Sequence, residues 1–174
     1  PIMHYLVTGG AGFIGSNYVH RLLSRGEQVT VYDNLSRRGA EANLAWLQAE
    51  FGADSFRFQS GDVRDAERTV AAAADAQVVV HLAGQVTVTT SVERPREDLE
   101  SNILGTFNIL EAARLSAHHP VVLYASTNKV YGGMEDLAIE ERSTRYAYRD
   151  HPYGISEHHP LDFHSPYGCS KGAG

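Results

Sequence analysis

The chain has 174 residues, of which 43% are hydrophobic and 21% are charged, and its formal net charge is −6. This composition is typical of one soluble globular domain and excludes a disordered chain. The strongly apolar run at Val78–Val80 is far shorter than the ~20 residues that a membrane span needs. The excess of acidic residues and the lack of a basic run argue against nucleic acid as a partner.

Two further features bear on the cellular setting. The single cysteine, Cys169, allows no internal disulfide, so we expect a protein of the reducing cytoplasm. Residues 1–4 lead directly into a predicted strand and a glycine turn, and we therefore expect no signal peptide there.

From residue 3 to residue 125 the apolar pattern alternates between strand-like and helix-like segments. Such a series of βαβ units predicts an α/β fold of the Rossmann type, with a doubly wound parallel sheet. The predicted strands cover 3–8, 28–33, 56–59, 77–82 and 121–125, and the predicted helices cover 13–23, 40–51, 65–74 and 99–115.

Beyond Gly132 this periodicity is lost. The lack of a regular pattern in residues 133–165 predicts a long loop there, and a loop of this length in a compact domain is usually functional. A last helix is predicted to begin at Ser165 and Pro166, since serine is a good cap and proline fits the first helical position. The loop contains four histidines without metal-ligand spacing, and we expect no metal site there: His151, His158, His159 and His164.

Between the first predicted strand and the first predicted helix lies the turn Gly10-x-Gly12-x-x-Gly15, which overlaps Gly9-x-x-Gly12. In that position, glycines let the backbone approach a pyrophosphate at the N-terminus of the helix. Asp33 lies at the end of the second strand, 18 residues after Gly15, close to the ~20 expected for an acid that binds a ribose. A tight strand-to-helix turn without a ligand is the alternative interpretation.

Asp33 also bears on the choice of cofactor. A carboxylate accepts hydrogen bonds from ribose hydroxyls and repels a 2′-phosphate, so it favours NAD over NADP. Arg37 and Arg38 complicate this prediction, because either guanidinium could pair with a phosphate or simply be solvated in the loop.

Tyr167 and Lys171 lie four residues apart, on one face of the last predicted helix. A nearby ammonium favours the phenolate, which would let Tyr167 accept a proton from an alcohol. Ser126 and Thr127 follow the fifth strand, where side chains of open α/β sheets line the ligand crevice. Each of these residues also has a purely structural interpretation, as an exposed helix residue or as a hydroxyl bonded to local backbone.

Six motifs in order resemble the extended short-chain dehydrogenases that modify nucleotide sugars, the NAD-dependent epimerase/dehydratase family. They span essentially the whole chain and are Thr8–Gly15, Gly61–Val63, His81–Gly84, Asn102–Ala113, Val130–Gly132 and Tyr167-x-x-x-Lys171.

The resemblance implies NAD as cofactor and a nucleotide sugar as substrate. Asp62 and Val63 would flank the adenine, and Thr127 would be the hydroxyl partner of the catalytic residues Tyr167 and Lys171. The full set of expected cofactor-binding residues is Gly9, Gly12, Phe13, Ile14, Gly15, Asp33, Asn34, Ser36, Arg37, Asp62, Val63, Leu82, Ala83, Gly84, Gln85, Tyr167 and Lys171.

Within the family, the strings Ser126–Gly132 and Leu161–Gly172, with Gly84-Gln85-Val86, are similar to epimerases that invert C2 of a CDP-hexose. This similarity implies hydride transfer from C2 through a transient 2-keto sugar. Sugar 4,6-dehydratases carry an Asp-Glu pair where this sequence has Asn128 and Lys129, which argues against dehydration. A 4-epimerase or a reductase of the same family is the alternative.

Family members are roughly twice as long as this chain. We therefore expect residues 1–174 to form an NAD-binding Rossmann domain that ends at the catalytic helix, as part of a longer enzyme whose C-terminal substrate region is missing here. On that view the chain alone would bind NAD weakly and without turnover. The family resemblance also implies a homo-oligomer.

Overall fold

The computed structural model describes residues 2–174. Its helices are α1 Phe13–Leu23, α2 Ala40–Phe51, α3 Ala66–Ala73, α4 Val88–Glu93, α5 Pro95–Leu99, α6 Gly105–Leu115 and α7 Pro166–Ala173, with a π-helical turn at Glu100–Leu104 and a 3₁₀ turn at Asn128–Tyr131. Its strands are β1 His4–Thr8, β2 Gln28–Asp33, β3 Arg57–Ser60, β4 Val78–His81, β5 Val121–Tyr124, β6 Ile139–Glu141 and β7 Tyr146–Tyr148.

Five strands form one parallel sheet in the order β3-β2-β1-β4-β5. The central strand β1 pairs with β2 on one side, where Tyr5 is opposite Val29, and with β4 on the other, where Tyr5 is opposite Val78. The strand order therefore reverses direction at β1, and the crevice at the carboxyl ends of β1 and β4 is where open α/β sheets bind ligands. The predicted Rossmann-type fold is confirmed.

Helices cover both faces of the sheet, because neighbouring residues of a strand point to opposite faces. Val7 of β1 packs with Val19 of α1 and Leu47 of α2 in one cluster. Leu6 packs with Val79 of β4 and Ile109 of α6 in the other. All four residues of β4 are buried, as expected for a strand covered on both faces. The fold is thus a three-layer α/β/α arrangement.

The helices α1 and α2 have the bounds predicted from the sequence, whereas the segment after β4 differs. The predicted helix 99–115 extends back to Pro95 and contains the π turn, and the short helix α4 precedes it. The charged residues 96–98 obscured the apolar period in this segment. The predicted loop 133–165 also contains a small antiparallel hairpin formed by β6 and β7.

No helix in residues 2–174 is long and apolar enough to cross a membrane.

A buried histidine connects the two halves of the sheet to α6. His81 at the end of β4 is 1% exposed, with Nδ1 2.7 Å from the Thr8 hydroxyl oxygen and Nε2 3.1 Å from the Thr106 hydroxyl oxygen. The Thr106 hydroxyl donates to the carbonyl of Asn102, so it must accept a hydrogen bond from Nε2–H of His81. Nδ1 then accepts a hydrogen bond from Thr8, whose oxygen in turn accepts one from the backbone N–H of Ala83.

This chain of hydrogen bonds fits the neutral imidazole. Burial, and secondarily the positive charge of Lys171, lower the pKa of His81 to about 4. In the unfolded chain, His81 binds a proton near pH 6.5. The contribution of the neutral His81 to the free energy of unfolding is therefore fully present above pH 6.5 and is lost as the pH falls from 6.5 towards 4.

We therefore predict that His81 alone lowers the free energy of unfolding by about 3 kcal/mol between pH 7 and pH 4. Urea unfolding followed by circular dichroism at several pH values measures this slope. His81→Gln should lose the corresponding part of the pH dependence, and the exposed-site control His118→Gln should keep it. Equal slopes in the wild type and His81→Gln would contradict the prediction.

Candidate active site

The turn between β1 and α1 leaves no room for a side chain at Gly9 or Gly15. Gly9 has a φ of 67°, and the backbone N–H of Gly12 donates to the carbonyl of Gly9 at 3.0 Å. A Cβ atom on Gly15 would lie 2.1 Å from that same carbonyl oxygen, and one on Gly9 would lie 2.8 Å from the backbone N of Ala83. Glycine at these positions is therefore required for β1, α1 and the segment after β4 to approach one another.

The N-terminus of α1 has free hydrogen-bonding capacity. Its cap residue is Gly12, and within residues 2–174 no side chain caps it. The first helical hydrogen bond runs from Ser16 N–H to the Gly12 carbonyl, so the N–H groups of Phe13, Ile14 and Gly15 belong to the uncapped first turn. The side chains of Phe13 and Ile14 are 83% and 67% exposed. Such a helix end can bind an anion such as a pyrophosphate.

Two side chains fix the turn through Ala11. The backbone N–H of Ala11 donates to Asp33 at 3.0 Å, and its carbonyl accepts a hydrogen bond from Asn43 of α2 at 2.8 Å. Asn43 was missed by the sequence reasoning. Its sequence signal is weak: it is a polar residue of low helix propensity near the start of a predicted helix.

Asp33 lies at the end of β2, partly buried, and its other carboxylate oxygen accepts from the backbone N–H of Leu35 at 2.8 Å. A carboxylate has about four lone-pair sites, so both oxygens can accept further hydrogen bonds from a diol. Asn34 donates to Asp62 at 2.8 Å, whereas Ser36 and Arg37 lie exposed in the following loop.

Asp62 and Val63 follow β3. The guanidinium of Arg64 donates twice to the Asp62 carboxylate, at 2.9 and 2.7 Å, and these bonds hold the pKa of Asp62 down at about 2. Val63 is buried against Gly105, and its carbonyl accepts a hydrogen bond from Asn108 of α6 at 2.8 Å. Sequence reasoning missed the part that Arg64 plays in fixing this carboxylate.

The segment Leu82–Gln85 follows β4 and lies against the glycine turn. The backbone N–H of Leu82 donates to the Thr8 carbonyl at 3.1 Å, and that of Gln85 donates to the side chain of Asn102 at 2.9 Å. A Cβ atom on Gly84 would lie 2.5 Å from the Asn102 side-chain oxygen. The structure thus brings the predicted residues after β1 and β4 together at one edge of the sheet.

Tyr167 and Lys171 lie on α7, which begins as predicted: Ser165 caps it by accepting from the N–H of Gly168. Both side chains are buried, at 9% and 8% exposure. The ammonium of Lys171 lies 4.4 Å from the centre of the Tyr124 ring, and burial lowers the pKa of Lys171 to about 8.

Two residues that position α7 were not foreseen from the sequence. The hydroxyl oxygen of Ser91 on α4 accepts from the backbone N–H of Tyr167 at 3.1 Å. The hydroxyl of Tyr124 on β5 donates to the carbonyl of Lys171 at 3.2 Å.

Thr127 caps the 3₁₀ turn after β5, and its hydroxyl oxygen accepts from the backbone N–H of Lys129 at 3.3 Å. This turn packs against α7 so closely that a Cβ atom on Gly168 would lie 2.7 Å from the carbonyl oxygen of Lys129. Thr127 and Tyr167 thus lie on adjoining elements, but within residues 2–174 no hydrogen bond joins them directly.

The histidines of the loop before α7 do not cluster. His164 is 2.9 Å from Asp162, and His159 meets the Tyr131 ring edge-on. In the described residues 2–174, no group of three or more histidine, cysteine, aspartate or glutamate side chains could hold a metal ion.

Known proteins resemble the chain over nearly its full length. The family model of the GDP-mannose 4,6 dehydratases matches residues 6–174. A CDP-paratose 2-epimerase of Salmonella typhi is 47% identical over 98% of this chain and 50% of its own length. A UDP-glucose 4-epimerase of Mycolicibacterium smegmatis is 38% identical over 99% of this chain and 49% of its own length.

Solved structures agree with these matches. The crystal structure of a dTDP-glucose 4,6-dehydratase from Streptomyces venezuelae, which has NAD bound, superimposes with a TM-score of 0.78 at 33% identity. The alignment covers 98% of this chain and 49% of that one. The chain spans about half the length of the curated relatives that it matches. The chain belongs to the GDP-mannose 4,6 dehydratase family of NAD-dependent epimerases and dehydratases.

Proposed function

We propose that the crevice at the carboxyl ends of β1 and β4 binds NAD. The observation that carries this proposal is the uncapped N-terminus of α1, held by a turn that leaves no room for a Cβ atom at Gly15. The N–H groups of Phe13, Ile14 and Gly15 would bind the pyrophosphate, as helix N-termini do in dinucleotide-binding folds. The bound NAD in the dehydratase of Streptomyces venezuelae supports this proposal.

The remaining predicted residues would contact different parts of the cofactor. Asp33 would accept from the adenosine ribose, with Asn34, Ser36 and Arg37 beside it, and its negative charge would favour NAD over NADP. Asp62 and Val63 would flank the adenine. Further along the crevice the residues proposed to contact the cofactor are Leu82, Ala83, Gly84, Gln85, Tyr167 and Lys171.

The catalytic residues that we propose are Thr127, Tyr167 and Lys171. Tyr167 would accept the proton of a sugar hydroxyl as its phenolate and return it later, which is general base and then general acid catalysis. The Lys171 ammonium, one helical turn away, would favour the phenolate and donate hydrogen bonds to the nicotinamide ribose. Thr127 would donate a hydrogen bond to the reacting oxygen.

The reaction that we propose is inversion of C2 of a CDP-hexose. When bound, NAD⁺ supplies the hydride acceptor and, once reduced, the hydride donor. Tyr167 removes the proton of the C2 hydroxyl as the carbinol is oxidised, and it reprotonates the oxygen after the 2-keto sugar has turned over and been reduced on its other face. The 47% identity to the CDP-paratose 2-epimerase supports cytosine as the nucleotide base of the substrate and C2 as the carbon that is inverted.

Elimination of water is disfavoured by Asn128 and Lys129, which stand where the sequence motif of dehydratases has an acid and a base. A nucleotide-sugar 4-epimerase or a reductase of the same family is the second candidate, because the 4-epimerase of Mycolicibacterium smegmatis is also similar over nearly the whole chain. For residues 1–174 by themselves, we propose a cofactor-binding domain that ends at the catalytic helix and binds NAD without turnover.

Gly15→Ala should weaken the binding of NAD by at least about tenfold, because its Cβ atom would push α1 away from the turn and misplace hydrogen bonds to a charged group. Isothermal calorimetry of the full-length protein with NAD⁺ measures the affinity, and circular dichroism checks the fold. Gly133→Ala is the matched control, since the atoms nearest to its Cβ would belong to the flexible side chain of Glu135. Unchanged affinity in a folded Gly15→Ala protein would exclude the proposed cradle.

Tyr167→Phe should lower the rate of epimerisation by about 10²- to 10⁴-fold, since it removes the group that exchanges the proton. Binding of NAD⁺ should change little. Steady-state kinetics of the full-length protein with a CDP-hexose measures the rate. Tyr153→Phe, in the exposed loop before α7, should keep full activity. A Tyr167→Phe variant that is as active as the control would remove Tyr167 from the reaction.

The position of hydride transfer separates the two candidate reactions. With CDP-paratose deuterated at C2, the full-length enzyme should show a primary kinetic isotope effect, whereas deuterium at C4 should have none. Single-turnover measurements of cofactor reduction provide this comparison. An isotope effect with the C4-labelled sugar alone would favour a 4-epimerase.

A further inference from the structure

Asp98 on α5 is an acidic residue in an unusual position. It is 1% exposed, and one of its carboxylate oxygens accepts hydrogen bonds from the side-chain amides of Gln85 and Asn102, each at 3.2 Å. Burying a carboxyl group away from water is costly unless it is hydrogen-bonded and balanced by an opposite charge. The two amides supply the hydrogen bonds, and the opposite charge must come from elsewhere.

The orientation of both amides follows from their other partners. The side-chain oxygen of Asn102 accepts from the backbone N–H of Gln85, so its nitrogen faces Asp98. The side-chain oxygen of Gln85 accepts from the backbone N–H of Thr87, so its nitrogen also donates to Asp98. Both residues thus present N–H donors to Asp98, as a carboxylate acceptor requires.

The same amide of Asn102 connects Asp98 to the catalytic helix. Its nitrogen also donates to the hydroxyl oxygen of Ser170 at 3.0 Å, and Ser170 directly precedes Lys171. Both α5 and the π turn that carries Asn102 pack against α7. The segment after β4, the buried acid and the catalytic helix are therefore joined by one hydrogen-bonded network.

Among residues 2–174, Lys171 is the one buried lysine or arginine, and it directly follows Ser170, where this network reaches α7. Burial lowers its pKa to about 8, and the charge of Asp98 acts in the opposite direction. Three other groups lie around Lys171: the Tyr124 ring of β5, His81 of β4 and Tyr167 one turn earlier on α7. The positive charge of Lys171 lowers the pKa of His81. The other charged residues on α4, α5, the π turn and the 3₁₀ turn are partly or fully exposed: Glu93, Arg96, Glu97, Glu100 and Lys129.

We propose that Asp98 is a positioning residue for catalysis: held by Gln85 and Asn102, its buried carboxylate is the counter-charge that keeps Lys171 a fixed ammonium beneath the Tyr124 ring. This proposal deepens the proposed function and rests on it, since Lys171 matters through its charge towards Tyr167 and the cofactor. Without the carboxylate, the low-dielectric surroundings favour the neutral amine, which neither stabilises a phenolate nor competes well for ribose hydroxyls.

The test is the titration of Lys171 itself, which requires neither cofactor nor substrate. Residues 1–174 contain two lysines, Lys129 and Lys171. In the full-length protein labelled with [¹³Cε]lysine, the signal that disappears in Lys171→Arg identifies Lys171 by NMR. We expect it to titrate near pH 8 in the wild type, and about one pH unit lower in Asp98→Asn.

Glu97→Gln is the matched control, because it removes the same charge from the adjacent, more exposed position of α5, and should leave the titration of Lys171 in place. Asp98→Ser, which keeps a hydroxyl as an acceptor for the two amides, is the second variant. Should neither Asp98 variant fold, uniformly ¹³C-labelled wild type still decides, since the carboxyl ¹³C signal of Asp98 must shift at the titration midpoint of Lys171.

The pH dependence of NAD⁺ affinity gives the functional readout. In Asp98→Asn the affinity should decline at a pH about one unit lower than in the wild type and the Glu97→Gln control. An unshifted Lys171 titration in a folded Asp98 variant, or no response of the Asp98 signal in the wild type, would overturn the proposal. Failure of the wild type to bind NAD⁺ at any pH would instead contradict the proposed function and leave the titration result standing.

Discussion

The close approach of three backbone segments at the end of β1 is the constraint on which the rest of the molecule depends. Gly9 contacts the segment after β4, and Gly15 brings the first turn of α1 against the carbonyl of Gly9. Because no side chain fits between them, the helix N-terminus lies directly over the edge of the sheet. Asp33 and Asn43 then fix Ala11 from both sides, so the turn is held rigid by residues of β2 and α2.

Around this apolar and glycine-rich centre, the chain uses buried polar side chains to connect its elements. His81 joins β1 to α6, and Asn102 joins the segment after β4 to α7. Among residues 2–174, no buried side-chain nitrogen or oxygen is left without a hydrogen-bond partner. Fully satisfied networks of this kind specify one arrangement of the elements that they join, because any slip leaves a buried polar group unpaired. The site is therefore positioned from within the core.

Much of this arrangement could be predicted from the sequence, because it depends on residues that are close along the chain. The glycine turn, Asp33, the Ser165 cap and the bounds of α1 and α2 all follow from local spacing and periodicity. The parallel order of the strands follows from their alternation with helices. The cap and the helix bounds are confirmed, and the roles of the predicted site residues stay predictions.

The residues that were missed depend on contacts between distant segments. Asn43, Ser91 and Tyr124 act on backbone groups 32, 76 and 47 residues away, and a single sequence contains no signal for such pairs. Asp98 lies in a charged run that is typical of a solvated helix face, although the fold buries it. The π turn and the β6–β7 hairpin are likewise products of tertiary packing, which overrides weak local preferences.

The central position of β1 has a consequence for the order in which the fold assembles. β1 meets β2 after a loop of about 25 residues, whereas its partner β4 lies more than 70 residues further along the chain. Closing the longer loop costs more chain entropy and is slower, so local pairings form ahead of distant ones. The β1–α1–β2 unit, with its glycine turn and Asp33, can thus form as the chain leaves the ribosome, and the wall of the crevice that carries Tyr167 and Lys171 is added later.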